Sequence, residues 1–235
     1  MSKIVVAIDG YSGCGKSSTA KAVAKELGFT YIDSGAMYRA TALHFLNNYL
    51  TPSNPQDVSK GLKTLEISFQ PNPDTQKQET YLNGVNVEDD IRTMRVSERV
   101  SEVAALKPVR QELVAQQQRL GKKKGVVMDG RDIGSVVFPD AELKIFMTAD
   151  LETRASRRQQ ELLEKGDLVN LEEIKTNLAE RDRIDSSRAE SPLIKVTDAV
   201  EIDTTNLTFD EQVAQIVQLA KEVIEKEKDY ASNHR

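Results

Sequence analysis

Several things are scarce in this sequence. Cysteine occurs once, at Cys14, so no internal disulfide can form and no cysteine-based metal site is available; a reducing, cytoplasmic setting is expected. Net positive charge is missing as well. The 32 Lys and Arg are outnumbered by 37 Asp and Glu, giving −5, which argues against coating nucleic acid or anionic lipid through bulk charge. Any anionic ligand must therefore be held by local clusters. No hydrophobic run approaches membrane-spanning length, and the N-terminal run Ile4 to Ile8 is too short for a secretory signal, so a soluble chain with no membrane partner is expected. Internal repeats and low-complexity tracts are absent too. Histidine is nearly so: His44 and His234 lie outside every motif, and neither is nominated for acid–base work.

What is present is ordinary globular material. The 235 residues, 39% of them hydrophobic, suffice for one large domain or one domain with insertions. Five short apolar runs read as buried strands: Ile4 to Ile8, Phe29 to Ile32, Val126 to Met128, Leu143 to Met147 and Ala199 to Ile202. Amphipathic stretches separate them, and such alternation predicts an α/β fold, a five-stranded parallel sheet flanked by helices. The first helix carries Ala20, Val23, Ala24 and Leu27 on one face, begins near Lys16, and meets Gly28 where a left-handed cap would end it. Thr208 and Glu211 make a capping box for a closing helix, beyond which the polar "KEKDYASNHR" is expected to fray.

Two regions break the alternation. Leu65, Ile67 and Phe69 alternate with polar residues, and Asn83-Gly84 between short strand-like runs predicts a hairpin, so residues 63–91 read as a small antiparallel insertion. Residues 151–188 hold two helical patterns joined by Gly166, rich in arginine and poor in apolar surface, and read as a mobile helical lid. The remainder, 1–62, 92–150 and 189–235, forms the core domain.

One motif carries chemistry. "GYSGCGKSS", Gly10 to Ser18, follows the first strand and opens the first helix, and Gly10, Gly15, Lys16 and Ser17 match the spacing of a phosphate-binding loop. Its glycines let successive amides converge on phosphate oxygens at a helix N-terminus; Lys16 neutralises β and γ oxygens, and the Ser17 hydroxyl joins the coordination of Mg²⁺. Tyr11, Ser12, Gly13, Cys14 and Ser18 complete the ATP-binding stretch. Cys14 is read as a small residue tolerated in the loop, not a nucleophile. Asp129, ending the third strand, either organises magnesium waters or caps a turn. Such a loop alone does not separate a kinase from an ATPase or a switch protein, although the NKxD segment of guanine specificity is absent.

"GYSGCGKSS", "DSGAMYR", "IRT", "SEVAALKPVR", "DGRDIGSVVFPDA" and "ERDRIDSSR" occur in the order and spacing of bacterial cytidylate kinases, and the chain resembles that family from Lys3 to about Lys221. The family usually has proline where Tyr11 stands and alanine where Cys14 stands, changes that remove no ligand. The resemblance implies transfer of the ATP γ-phosphoryl group to CMP or dCMP by a P-loop enzyme, a monomer, with Mg²⁺. It places Ser34, Arg39, Arg131 and Arg92 on the acceptor phosphate, Ser101, Arg110 and Asp132 on the base, and Arg181, Asp185 and Arg188 at or near the ribose. Taken singly, Asp33 or Ser34 could merely cap a helix, Arg110 could be an ordinary helix charge, and Arg131 with Asp132 a surface pair. Arg154, Arg157 and Arg158 are expected to share a lid face, at least one of them reaching the transferring phosphoryl group. Another nucleoside monophosphate or small-molecule kinase, or a P-loop ATPase, remains the alternative.

Overall fold

In the computed structural model, which describes residues 3–72, 78–164 and 166–233, the chain opens with β1 (Val5–Gly10), buried along its whole length, and α1 (Lys16–Leu27). There follow β2 (Thr30–Asp33), α2 (Ser34–Asn47), α3 (Pro55–Lys63), β3 (Ile67–Pro71), β4 (Gln78–Leu82), β5 (Val85–Asn86), α4 (Met94–Ala104) and α5 (Lys107–Gly121). The last part holds β6 (Val126–Gly130), β7 (Leu143–Thr148), α6 (Leu151–Glu164), α7 (Leu171–Ser187), β8 (Val200–Asp203) and α8 (Phe209–Asn233). Strand order in the larger sheet is β2-β6-β1-β7-β8, with parallel pairing of β1 to β6 and β7 and of β7 to β8. This is the predicted five-stranded parallel sheet. No helix among the described residues is long and apolar enough to cross a membrane.

The chain divides into two compact units, Met1–Tyr31 with Gly121–Arg235, and Ile32–Leu120. In the first, Ile4, just before β1, and Val6, Ile8, Val127, Ile145 and Met147 of the sheet pack with Ala20, Val23 and Ala24 of α1 and Ile216 and Ala220 of α8. Parallel strands covered by helices need apolar side chains on both faces, hence the unbroken runs. Gly28 caps α1 with φ 65°, as predicted, and Thr208 and Glu211 exchange the capping-box bonds. The expected fraying beyond residue 226 is replaced by helix through Asn233, because Glu225, Lys226, Glu227 and Lys228 are good helix formers despite their polarity. His234 lies outside the described residues.

The second unit has its own core, built from Met37, Phe45, Ile91, Val96, Val109 and Leu113 among others. Its three-stranded sheet, β3-β4-β5, is antiparallel throughout. Leu82 pairs with Val85 across Asn83 (φ 51°) and Gly84 (φ 78°), the double positive φ that a two-residue hairpin of this twist requires. The residues 151–188 are better anchored than their composition promised. Ala155, Ile174 and Leu178 form a buried cluster with Leu151, Leu162, Val169 and Leu171 around it, so α6 and α7 share a small core.

Candidate active site

The glycine loop leaves the C-terminal end of β1, the edge where α/β sheets place their ligands. Asp129 near the end of β6, Ala149 and Arg154 after β7, and Thr204 after β8 come to the same edge. Gly15, at φ 89°, is the N-cap of α1 and supplies no side-chain cap, and the first turn holds no acidic residue. The uncapped amides and helix dipole thus present positive potential to an anion.

Lys16 is 5% exposed, and its Nζ donates to the Tyr11 carbonyl at 2.5 Å and lies 3.6 Å from Cys14 Sγ. Burial depresses its pKa, with the nearby Arg131 charge pushing the same way. The Cys14 thiol is fully buried, within reach of the carbonyls of Tyr11 (3.0 Å) and Met147 (3.5 Å), which fits a packing role. Ser17 Oγ donates to Asp129 Oδ2 at 2.7 Å, while Tyr31 Oη donates to Oδ1 at 2.8 Å. Asp129 thus faces the loop and is no mere turn residue.

Guanidinium groups surround this loop. Arg131 donates from Nη2 to Ser12 Oγ (2.6 Å) and from Nε to Asp185 Oδ2 (2.8 Å). Asp132 is 3% exposed, with Arg188 Nη2 at 4.0 Å; Arg188 Nη1 lies 3.5 Å from Asp185, and Nε donates to the Ser191 carbonyl. The surface-pair reading of Arg131 and Asp132 is thereby overturned. Arg181 is half-buried on α7. Arg154, 6% exposed, donates to the carbonyls of Ala149 (3.0 Å) and Ser12 (3.1 Å) and to Asp182 (2.6 Å), and its guanidinium lies 5.3 Å from the Tyr11 ring centroid. Arg157 donates to Thr204 Oγ1 and O, and Thr204 Oγ1 lies 3.2 Å from the Cys14 carbonyl.

Arg158 departs from its neighbours and makes an exposed pair with Glu161 at 3.0 Å, the ordinary i,i+3 surface contact. The expected shared face therefore resolves into three surroundings: Arg154 against the loop, Arg157 on the turn after β8, and Arg158 half-buried beside Glu161. Sequence reading missed Thr204 and Asp182. Thr204 had a usable signal, being a polar residue directly after the last strand.

In the second unit, Asp33 caps α2 by accepting the Ala36 amide at 2.7 Å. Its Oδ2 draws in Arg39 (3.0 Å) and Arg92 (3.6 Å), and Ser34 is buried beside it in sequence. Arg110 is 3% exposed, donates to the Ala104 carbonyl at 3.0 Å and lies over the Tyr38 ring, which rules out an ordinary surface charge. Ser101 is half-buried on α4. His44 is buried, bonded to Thr64 and Asn48, with its pKa lowered by burial.

Asp9 escaped notice entirely. It is 5% exposed, and its two carboxylate oxygens accept the amides of Ile133 (2.8 Å) and Gly134 (2.7 Å), holding the π-helical turn Ile133–Val137 that follows Asp132. Burial outweighs those bonds and raises its pKa from 3.8 to about 6, Asp132 adding repulsion. The folded state therefore binds this proton more tightly than the unfolded chain, so stability present at low pH is lost as pH rises through about 6. Against Asp9→Asn, which cannot ionise, the parent's advantage should shrink by on the order of 3 kcal/mol between about pH 4 and pH 7. Urea unfolding of both proteins across that range measures it; a pH-independent difference would show that Asp9 titrates normally.

Phosphoryl transfer asks for positioning and positive charge around a polyanion, without a covalent intermediate. A buried ammonium at a helix N-terminus, a hydroxyl joined to a carboxylate, and guanidiniums fixed on the loop meet that need, and they define a P-loop kinase. The cytidylate kinase family model matches residues 6–222. A curated cytidylate kinase of Cytophaga hutchinsonii is 56% identical over 94% of this chain and 94% of its own length. Those of Bacteroides thetaiotaomicron (54%; 90% and 94%) and Flavobacterium johnsoniae (50%; 95% and 99%) are similar throughout as well. The chain belongs to the cytidylate kinase family.

Proposed function

We propose that the chain transfers the γ-phosphoryl group of ATP to the phosphate of CMP or dCMP, yielding ADP and CDP or dCDP. The observation that carries this is Arg131, one guanidinium bonded at once to Ser12 of the nucleotide loop and to Asp185, a residue assigned to the acceptor's ribose. Donor-loop and acceptor residues are thus bound to a single fixed charge.

Each group has a task that follows from its chemistry. The loop amides from Gly10 to Ser18 and the first turn of α1 take the ATP phosphates, and Lys16 neutralises their outer oxygens. Ser17 Oγ and Asp129 form an all-oxygen donor pair that would hold a hard divalent cation such as Mg²⁺ beside the ATP phosphates, where its charge would offset theirs. Arg154, held on the Ser12 carbonyl of the loop, and Arg157, held on Thr204 whose hydroxyl reaches the Cys14 carbonyl, stabilise charge on the moving phosphoryl group, while Arg158 pairs with Glu161. Arg39, Arg92, Arg131 and Ser34 take the acceptor phosphate; Arg181, Asp185 and Arg188 take the ribose. The acceptor is already an anion, so no general base is needed.

Cytosine presents an amino donor at N4 and acceptors at N3 and O2, and the carboxylate of Asp132 with the donors Arg110 and Ser101 has the matching polarity. Uracil reverses positions 3 and 4 and would leave buried groups opposed. Asp132→Ala should accordingly raise KM for CMP while sparing KM for ATP, by about 5- to 150-fold for one lost polar contact of about 1–3 kcal/mol. Its selectivity for CMP over UMP should fall in step; unaltered selectivity refutes the base-reading role.

The function itself is tested by ADP release with CMP, dCMP, UMP, AMP and no acceptor. Stimulation confined to CMP and dCMP supports it. Equal turnover with all monophosphates would indicate a different acceptor, and ADP formation without one an ATPase.

A further inference from the structure

The antiparallel insertion has no task in the chemistry above, yet one of its strands is wired to an acceptor arginine. Glu88 lies between β5 and the short helical turn Asp90–Arg92. Its Oε2 accepts both the amide (3.0 Å) and the hydroxyl (2.7 Å) of Thr80 on β4. Its Oε1 accepts Nε of Arg92 at 3.0 Å and a second, shorter bond from Nη2 of the same guanidinium. Arg92 Nη2 in turn stands 3.6 Å from Asp33 Oδ2, the oxygen on which Arg39 donates.

The carboxylate end of this relay is anchored. Thr80 is 1% exposed and paired with Phe69 in the β3–β4 ladder. The Val87 amide bonds the Thr80 carbonyl (2.9 Å), the Ile91 amide bonds the Val87 carbonyl (3.0 Å), and Val87 and Ile91 are both buried in the unit's core. Glu88 is therefore clamped between two core residues, with its amide held by Asn86 Oδ1. A carboxylate fixed in this way sets both the plane and the reach of the guanidinium it holds.

We propose that Glu88 is a positioning residue for the acceptor phosphate, and that the insertion serves to hold it: Thr80 fixes Glu88, and Glu88 fixes Arg92 beside Arg39. The proposal rests on the assignment of Arg92 to that phosphate. An arginine side chain has many rotamers to give up on binding; one already oriented by a carboxylate loses fewer, so the relay lowers the cost of binding CMP without touching it. An ordinary exposed i,i+4 pair would not have its carboxylate tied to a buried strand hydroxyl.

The test uses the full-length enzyme and compares KM for CMP, KM for ATP and kcat. Glu88→Gln should raise KM for CMP about 5- to 10-fold with KM for ATP within about 2-fold of the parent. Thr80→Val, which keeps the shape and removes the hydroxyl, should raise KM for CMP in the same selective way by about 3-fold, and Thr80→Ser should recover most of it. In an Arg92→Ala background Glu88→Gln should add nothing, because the two residues act through one contact.

Equal changes in both KM values, or no change, would overturn the relay, as would effects that multiply in the Arg92→Ala background. An Arg92→Ala enzyme with an unaltered KM for CMP overturns the phosphate assignment and the relay with it. If Arg92→Ala raises that KM and Glu88→Gln does not, the relay alone falls. Thermal midpoints of all variants separate a folding defect from a binding one, and the Thr80 pair stands if Glu88→Gln fails to fold.

Discussion

Lys16→Met is expected to lower kcat by about 100- to 1,000-fold, the usual consequence of removing one preorganised charge from a transition-state site. The same change should leave the thermal midpoint unchanged or raise it. Lys16 is buried, its ammonium sits on a backbone carbonyl, and both burial and Arg131 disfavour its charged form. Methionine has nearly the same length, fills the same space, and carries no charge to desolvate or to repel Arg131, so the folded state loses little by the exchange. Activity therefore falls with no matching loss of stability. That divergence separates a charge needed for chemistry from one needed for folding. Steady-state kinetics with CMP, read beside a melting curve, decides it: turnover within about 3-fold of the parent would remove Lys16 from the mechanism, since charge stabilisation of this kind is worth far more.

Features written in consecutive residues were legible in the sequence. The loop from Gly10 to Ser18 carries its own geometry, because left-handed glycines, a lysine and a hydroxyl at fixed spacing between strand and helix leave few conformations. The Asn83-Gly84 turn and the Gly28 cap are equally local. The features that escaped are joins between distant segments. Asp9 meets amides 124 and 125 positions away, and Thr204 reaches the Cys14 carbonyl across 190. Only the parallel pairing of β1 with β6 and β7 and of β7 with β8 brings those ends together. Arg158 shows how far helical spacing reaches. Its spacing from Arg154 is helical, but position on a helix fixes direction only to within a face, and a neighbouring glutamate captured it. Glu88 and Thr80 lie only 8 residues apart, yet their contact depends on hairpin register, which composition does not display.

Gly10→Ala is expected to destabilise the protein by about 4 kcal/mol or more, enough to leave much of it unfolded at assay temperature. Gly10 ends β1 opposite Met147 in the β1–β7 ladder, at φ 146°. A Cβ there would lie 2.0 Å from the Met147 carbonyl oxygen and 2.9 Å from its carbon. That obstacle is backbone in the middle of a parallel sheet and cannot swing aside as a side chain could. Relief requires β1 and β7 to part, which exposes Ile8, Ile145 and Met147, all essentially fully buried. Gly28→Ala supplies the control. Gly28 also has a positive φ, 65°, but a Cβ there would meet nothing within 4 Å, so only the left-handed strain of about 1–2 kcal/mol applies. Urea unfolding of the two variants should therefore differ by severalfold in lost stability. Equal losses would mean that backbone conformation alone, and not the approach to Met147, demands glycine at position 10. The close approach also aims the chain: with no side chain between the strands, the loop turns directly over the end of β7, within reach of Arg154 from the helix that follows. A variant that relieved the clash by separating β1 from β7 would carry the phosphate loop away from that arginine. Any Gly10→Ala protein that remained folded at low temperature should accordingly retain helix and strand content yet lose turnover.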